Sequence, residues 1–170
     1  MKIPSLLTVA LSLSIAATAQ ADSLLGNPLP TTKEAFTASE PRVLNTINFL
    51  ETTPIDKQGD EWRAQAKLLT DWLTNAPEVT IDINARTTPF IKKNPELLFV
   101  FMAGWTRYVL QNGYSKDPVQ GNVAGIRSAI KVYKAANGLK KDKEMDRLIK
   151  VDENGGLEAW VVEQLGGQKG

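Results

Sequence analysis

From Leu97 to Leu110 the chain reads Leu-Leu-Phe-Val-Phe-Met-Ala-Gly-Trp-Thr-Arg-Tyr-Val-Leu, and its first two turns would be apolar on every side of a helix. A helix of that kind has no face to show to water and has to be wrapped by other elements. Asn94 as cap, Pro95 and Glu96 in the first turn, and Gly113 after Asn112 supply a start and a stop. Gly104, Thr106 and Arg107 interrupt the run before it reaches the ~20 apolar residues of a membrane span. The run therefore predicts an all-α domain built around a buried helix over about residues 95–112.

Other segments carry the wrapping faces. Ser39 as cap, Pro41 in the first turn and Val43, Leu44, Ile47 and Leu50 on one side predict a helix over Glu40–Thr52. Trp62, Ala66, Leu69 and Leu73, widened by Ala64, Leu68 and Trp72, predict a second over Glu61–Asn75. A helix from Val119 to Ala136 has Val123, Ile126, Ile130 and Tyr133 along a packing seam, with Gly121, Gly125 and Ala129 as a small-residue strip that permits close approach. Asn137-Gly138 ends it, and two short helices follow near Lys143–Val151 and Leu157–Leu165. Six helices result. The predicted core is Ile47, Leu50, Leu69, Leu73, Leu98, Phe101, Trp105, Val123, Ile126, Ile130, Leu148 and Trp160. Between Ala76 and Asn94, Val79, Ile81 and Ile83 alternate with Thr80, Asp82 and Asn84, which predicts a short extended segment near 79–83 with no partner strand.

The start of the chain predicts export. Lys2, the apolar stretch Leu6–Ala17 and the small residues of Ala19-Gln20-Ala21 form a cleavable leader over residues 1–21. An extended lead-in over 22–38, a helical domain over 39–166 and a flexible tail over 167–170 complete the expected organisation. With no cysteine there is no lipid-anchor site, so the cleaved protein is expected in the periplasm or outside the cell without a membrane anchor. The chain can form no disulfide, and packing has to stabilise it.

The chain also has no histidine. Without His and Cys there is no Ser-His-Asp triad, no thiolate nucleophile and no usual zinc or haem site. No cofactor is expected. After loss of Lys2 the remaining 19 basic residues balance 19 acidic ones, which disfavours nucleic acid as a partner. The balance is uneven, because Arg127–Lys150 holds eight basic residues and three acidic ones.

Ser128-Ala129-Ile130-Lys131 has the Ser-x-x-Lys spacing that puts an amine one helical turn from a hydroxyl. It resembles the penicillin-recognising cell-wall enzymes in that motif alone, since their Ser-Asp-Asn and Lys-Thr-Gly motifs are absent. Asp152, Asn154 and Glu163 stand at positions 1, 3 and 12 of a calcium loop, but Gly156 and Leu157 occupy positions that need a ligand and a glycine. No metal site is expected. Lys140, Lys141 and Lys143 form a basic cluster suited to an anionic polymer or an acidic partner, or else cations relieving the carbonyl end of a helix. In the connector, Thr80, Asp82, Asn84 and Arg86 would share one face, with Val79, Ile81 and Ile83 toward the core. Trp62, Trp72, Trp105 and Trp160 could stack on sugar rings, but their helical positions read as core.

Leu110–Asp142 resembles the helical peptidoglycan-binding domain found beside many cell-wall hydrolases. The matching residues are Asn112-Gly113-Tyr114, Pro118-Val119-Gln120-Gly121 and the run from Ala129 to Leu139, with Asp142 after. Asp142 is followed by Lys143 where the family has glycine. The resemblance implies muropeptide contacts at Tyr114, Asn122 and the turn around Asn137. Phe101–Tyr108 also resembles secreted bacterial helical proteins, which implies no activity. The residues together predict an exported, non-enzymatic protein that binds a protein or cell-wall polymer. An inhibitor or immunity role, a small-molecule carrier between helices, and an envelope enzyme using carboxylates or Ser128 with Lys131 remain the alternatives.

Overall fold

Six helices form along residues 24–55, 59–135 and 138–166, the part of the chain described by the computed structural model. They are α1 (Lys33–Thr52), α2 (Gly59–Asn75), α3 (Leu97–Gln111), α4 (Pro118–Ala135), α5 (Lys143–Glu153) and α6 (Leu157–Gly166), with a single 3-10 turn at Pro89–Lys92 before α3. No strand occurs among the described residues. The expected leader 1–21 and tail 167–170 lie outside them.

α3 packs on α1, α2, α4 and the 3-10 turn, as its all-round apolar surface requires. Its most extensive partner is α4, and the small-residue strip is the reason. Gly121 lies under the Trp105 indole and Gly125 under the Phe101 ring, while Gly104 of α3 lies against Ser128 and Ala124. A Cβ at Gly121 would stand 2.2 Å from Trp105 Cε2. α5 and α6 pack chiefly on α4, with α5 also against the 3-10 turn, so α3 is the central helix and α3 with α4 forms the spine of the bundle.

α1 begins nearly two turns earlier than Ser39 and Pro41 suggested. Thr32 is its N-cap, with Oγ1 accepting the Ala35 N–H at 3.2 Å, and Pro41 sits inside the helix. The added turns bury Phe36 edge-on against Trp72, 5.5 Å between ring centroids, which offsets the backbone bond that Pro41 cannot donate. Ser39, expected as a cap, donates its hydroxyl to the Phe36 carbonyl at 2.7 Å and accepts the Trp72 indole N–H at 2.8 Å. Trp62 donates likewise to the Leu50 carbonyl, so two indoles tie α2 to α1. Residues 24–31 carry no helix and lie on α1, with Leu25 N–H on Thr46 Oγ1 and Arg42 Nε on the Leu24 carbonyl.

The connector departs from its alternating pattern. Val79 is buried, Ile81 partly so, and Ile83 is 48 % exposed. No strand forms over 79–83, and the chain turns just beyond it, at Asn84. The Asn84 carbonyl accepts both the N–H and the hydroxyl of Thr87 and of Thr88, and the two threonines are fully buried. Phe90 then enters the core beside Phe101. Nine of the twelve predicted core residues are buried; Leu73, Leu98 and Trp160 are partly buried at its margin.

Candidate functional site

On α1, Ile47, Leu50 and Glu51 share one helical stripe, so the Glu51 carboxylate enters the bundle with the apolar side chains. Its side chain is completely buried. α3 and α4 bring three donors to it. Arg107 Nη1 reaches Oε1 at 2.6 Å, Ser128 Oγ–H donates to the same oxygen at 2.7 Å, and Lys131 Nζ donates to Oε2 at 2.9 Å. Arg107 Nη2 also donates to Asn48 Oδ1 at 2.7 Å. Burial pushes the Glu51 carboxyl up, but the hydrogen bonds from Arg107, Ser128 and Lys131 outweigh it and hold the group below its ordinary value.

Above this carboxylate lies an open cleft of about 350 Å³, rimmed by Tyr108, Gln111, Asn112 and Arg127. The Ser-x-x-Lys pair stands on its floor, but the two residues are wired to Glu51. Ser128 donates its hydroxyl to Glu51, and Lys131 is ion-paired to the same carboxylate, so the two serve Glu51 rather than one another. Arg127 Nε donates to Asp152 at 2.9 Å, and Lys134 pairs with Glu153. Asp152, considered for calcium, and its neighbour Glu153 are therefore engaged by cations, and no group of three or more acidic residues converges among the described residues.

The second candidate surface is basic. Asn94 does not cap α3 with its side chain. Buried at 2 % exposure, it donates Nδ2–H to the Lys140 carbonyl at 2.9 Å and accepts the Lys140 N–H on Oδ1 at 2.7 Å. This amide clamp fastens the loop before α5 to the end of the 3-10 turn. The segment carrying Lys140, Lys141 and Lys143 is thereby brought against the one carrying Lys92 and Lys93, and all five lysines are exposed. None has an ion-pair partner among the described residues. Asp142, the acidic residue within the cluster, is buried and caps α5, and Glu144 is held by Arg147.

The remaining sequence-predicted residues are dispersed. Gly113 and Tyr114 both adopt left-handed backbone, at φ 61° and 59°, in the turn between α3 and α4. Tyr114 donates its hydroxyl to Glu40 at 2.6 Å, and that bond, with burial, raises its phenol above the ordinary value. Asn122 is completely buried and donates Nδ2–H to the Pro118 carbonyl, while its Oδ1 has no partner. Asn137 lies outside the described residues. Thr80, Asp82 and Arg86 are exposed, whereas Asn84 is half-buried and holds its own turn. Trp62, Trp72 and Trp105 are core; Trp160 is partly covered by the Arg147 guanidinium, 5.2 Å from the ring centroid.

Glu51, Arg107, Lys92 and Lys93 are the residues that reading the sequence did not single out. An acid on the apolar stripe of α1 and a cation inside the most apolar helix were the signals for the first two. No protein-family model, no curated protein and no solved structure matches the chain.

Proposed function

We propose that the chain is an exported, non-enzymatic protein that holds an anionic cell-wall polymer through Lys92, Lys93, Lys140, Lys141 and Lys143. The observation that carries this reading is the Asn94–Lys140 clamp, which joins two distant segments that each carry exposed lysines. Lysine is a compact, strongly hydrated point charge, suited to the diffuse charge of a polymer; the arginines that specific protein interfaces favour are absent from the patch. The leader-like start of the chain supports an envelope location, and the engagement of Ser128 and Lys131 by Glu51 favours binding over catalysis. The resemblance of Leu110–Asp142 to the peptidoglycan-binding domain points to the same class of partner.

The test is co-sedimentation of residues 22–170 with purified insoluble peptidoglycan at low and raised salt. Retention at low salt that falls sharply between about 50 mM and 500 mM salt, as the screening length shortens, is the expected result. A Lys92→Ala/Lys93→Ala variant and a Lys140→Ala/Lys141→Ala/Lys143→Ala variant should each lose retention. Salt-resistant retention by both variants would move the contact away from the lysines, and no retention at any salt would sink the reading.

A further inference from the structure

We infer that the cleft above Glu51 is a second, separate binding site, built for a small monoanionic carboxylate. Three cations converge on it, Arg107 from α3 and Arg127 and Lys131 from α4, against two carboxylates, Glu51 and Asp152. One positive charge is left over. That surplus matches a single carboxylate better than a dianionic phosphate.

The donors are also unspent. Lys131 uses one of its three N–H groups on Glu51 and is 55 % exposed. Arg127 is tied to Asp152 through Nε, which leaves both Nη groups for the bidentate pairing that guanidinium and carboxylate prefer. Glu51 itself is not a ligand group, because its two oxygens already accept three donors at full burial. It acts as a positioning residue, holding Arg107 and Lys131 at the floor of the cleft.

A volume of about 350 Å³ lies at the small end of ligand sites. The rim adds neutral polar groups: Gln111 is exposed, and Asn112 keeps Oδ1 free while its Nδ2–H serves the Tyr108 carbonyl. A carboxylate carrying an amide within a few bonds fits that rim. Such a group is found on free N-acylated amino acids and at the end of a peptide chain.

The experiment is an NMR titration of the purified protein at low salt, following the arginine side-chain N–H signals and the α4 backbone amides. N-acetylglycine and N-acetyl-triglycine are added, each beside its neutral C-terminal amide. Saturable shifts at Arg127 and neighbouring α4 residues with the acids, at a dissociation constant on the order of 1 mM, and none with the amides, are expected. Tighter binding of the triglycine assigns the site to a peptide end; equal binding assigns it to a free acid. Arg127→Gln removes an exposed side chain and should weaken binding about tenfold with helicity unchanged, as should Lys131→Gln. Lys67→Gln, an exposed lysine on α2, should leave it as it is. Equal binding of acids and amides, wild-type binding by Arg127→Gln, or no saturable shift would overturn the inference. Because the lysine patch is not touched by these variants, the polymer test stands or falls separately.

Discussion

Glu51 is the residue on which the inner packing of α1, α3 and α4 converges, and its stability depends on charge being kept. A buried carboxylate without partners would cost several kcal/mol, and here Arg107, Ser128 and Lys131 supply them. Glu51→Gln keeps the shape but leaves two cations without their counter-charge. Since Arg107 and Lys131 retain access to water, the expected loss is about 1–3 kcal/mol, read by urea unfolding at neutral pH. The pH dependence carries a sign that a packing defect would not. With its folded value held below the unfolded one of about 4.3, the carboxylate contributes fully above that pH, and its contribution is lost as pH falls through the folded value. Wild type should therefore lose stability below about pH 4.3 more steeply than Glu51→Gln, so that the two unfolding curves approach one another in acid. Parallel pH profiles would mean that Glu51 is not ionised in the fold. The sequence held a trace of this site: Ser128 and Lys131 drew attention by their spacing, but the carboxylate they serve is 77 and 80 residues away, beyond the reach of any local pattern.

At the scale of elements, close approach of α3 and α4 is what the glycines permit. A Cβ at Gly125 would lie 2.6 Å from Phe101 Cδ2 and 2.8 Å from the Phe101 carbonyl oxygen, and the second of these is backbone that cannot swing away. Gly125→Ala should cost roughly 1–3 kcal/mol through forced separation of the spine, despite the better helix propensity of alanine. Gly166→Ala, where nothing lies within 4 Å, should stay within about 0.5 kcal/mol of wild type. Equal thermal midpoints for the two variants would show that the interface is looser than its geometry. This seam was legible because it is periodic: Gly121, Gly125 and Ala129 repeat every four residues, and Val123, Ile126 and Ile130 flank them. The start of α1 was not legible, because Ser39 and Pro41 imitate a helix beginning, while the residues that decide the matter, Phe36 and Trp72, meet only in three dimensions. The 79–83 alternation was legible in part: Val79 and Ile81 turn inward as expected, but no strand forms there and Ile83, next to the Asn84 turn, is left exposed.

Across the whole molecule, the two lysine-bearing segments, 46 residues apart, are joined by one buried amide and by the packing of α5 on the 3-10 turn. Lys140, Lys141 and Lys143 could be read along the chain, whereas their neighbours Lys92 and Lys93 could be added only once Asn94 had been seen to grip the Lys140 backbone. Asn94→Ala removes both halves of that grip and leaves the Lys140 N–H and carbonyl without a protein partner. The expected loss of stability is about 1–3 kcal/mol, less if water enters to replace the amide. Its consequence for binding differs from that of removing charge. All five lysines remain, so net charge and long-range attraction are unchanged, but the two segments are held together less firmly, by the packing of α5 on the 3-10 turn alone. Asn94→Ala should therefore still sediment with peptidoglycan at low salt, more weakly than wild type, and lose retention at a lower salt concentration. The lysine-to-alanine variants should be weak at every salt. If Asn94→Ala instead binds as wild type while the lysine variants do not, the polymer reads only total charge, and the clamp serves the fold alone.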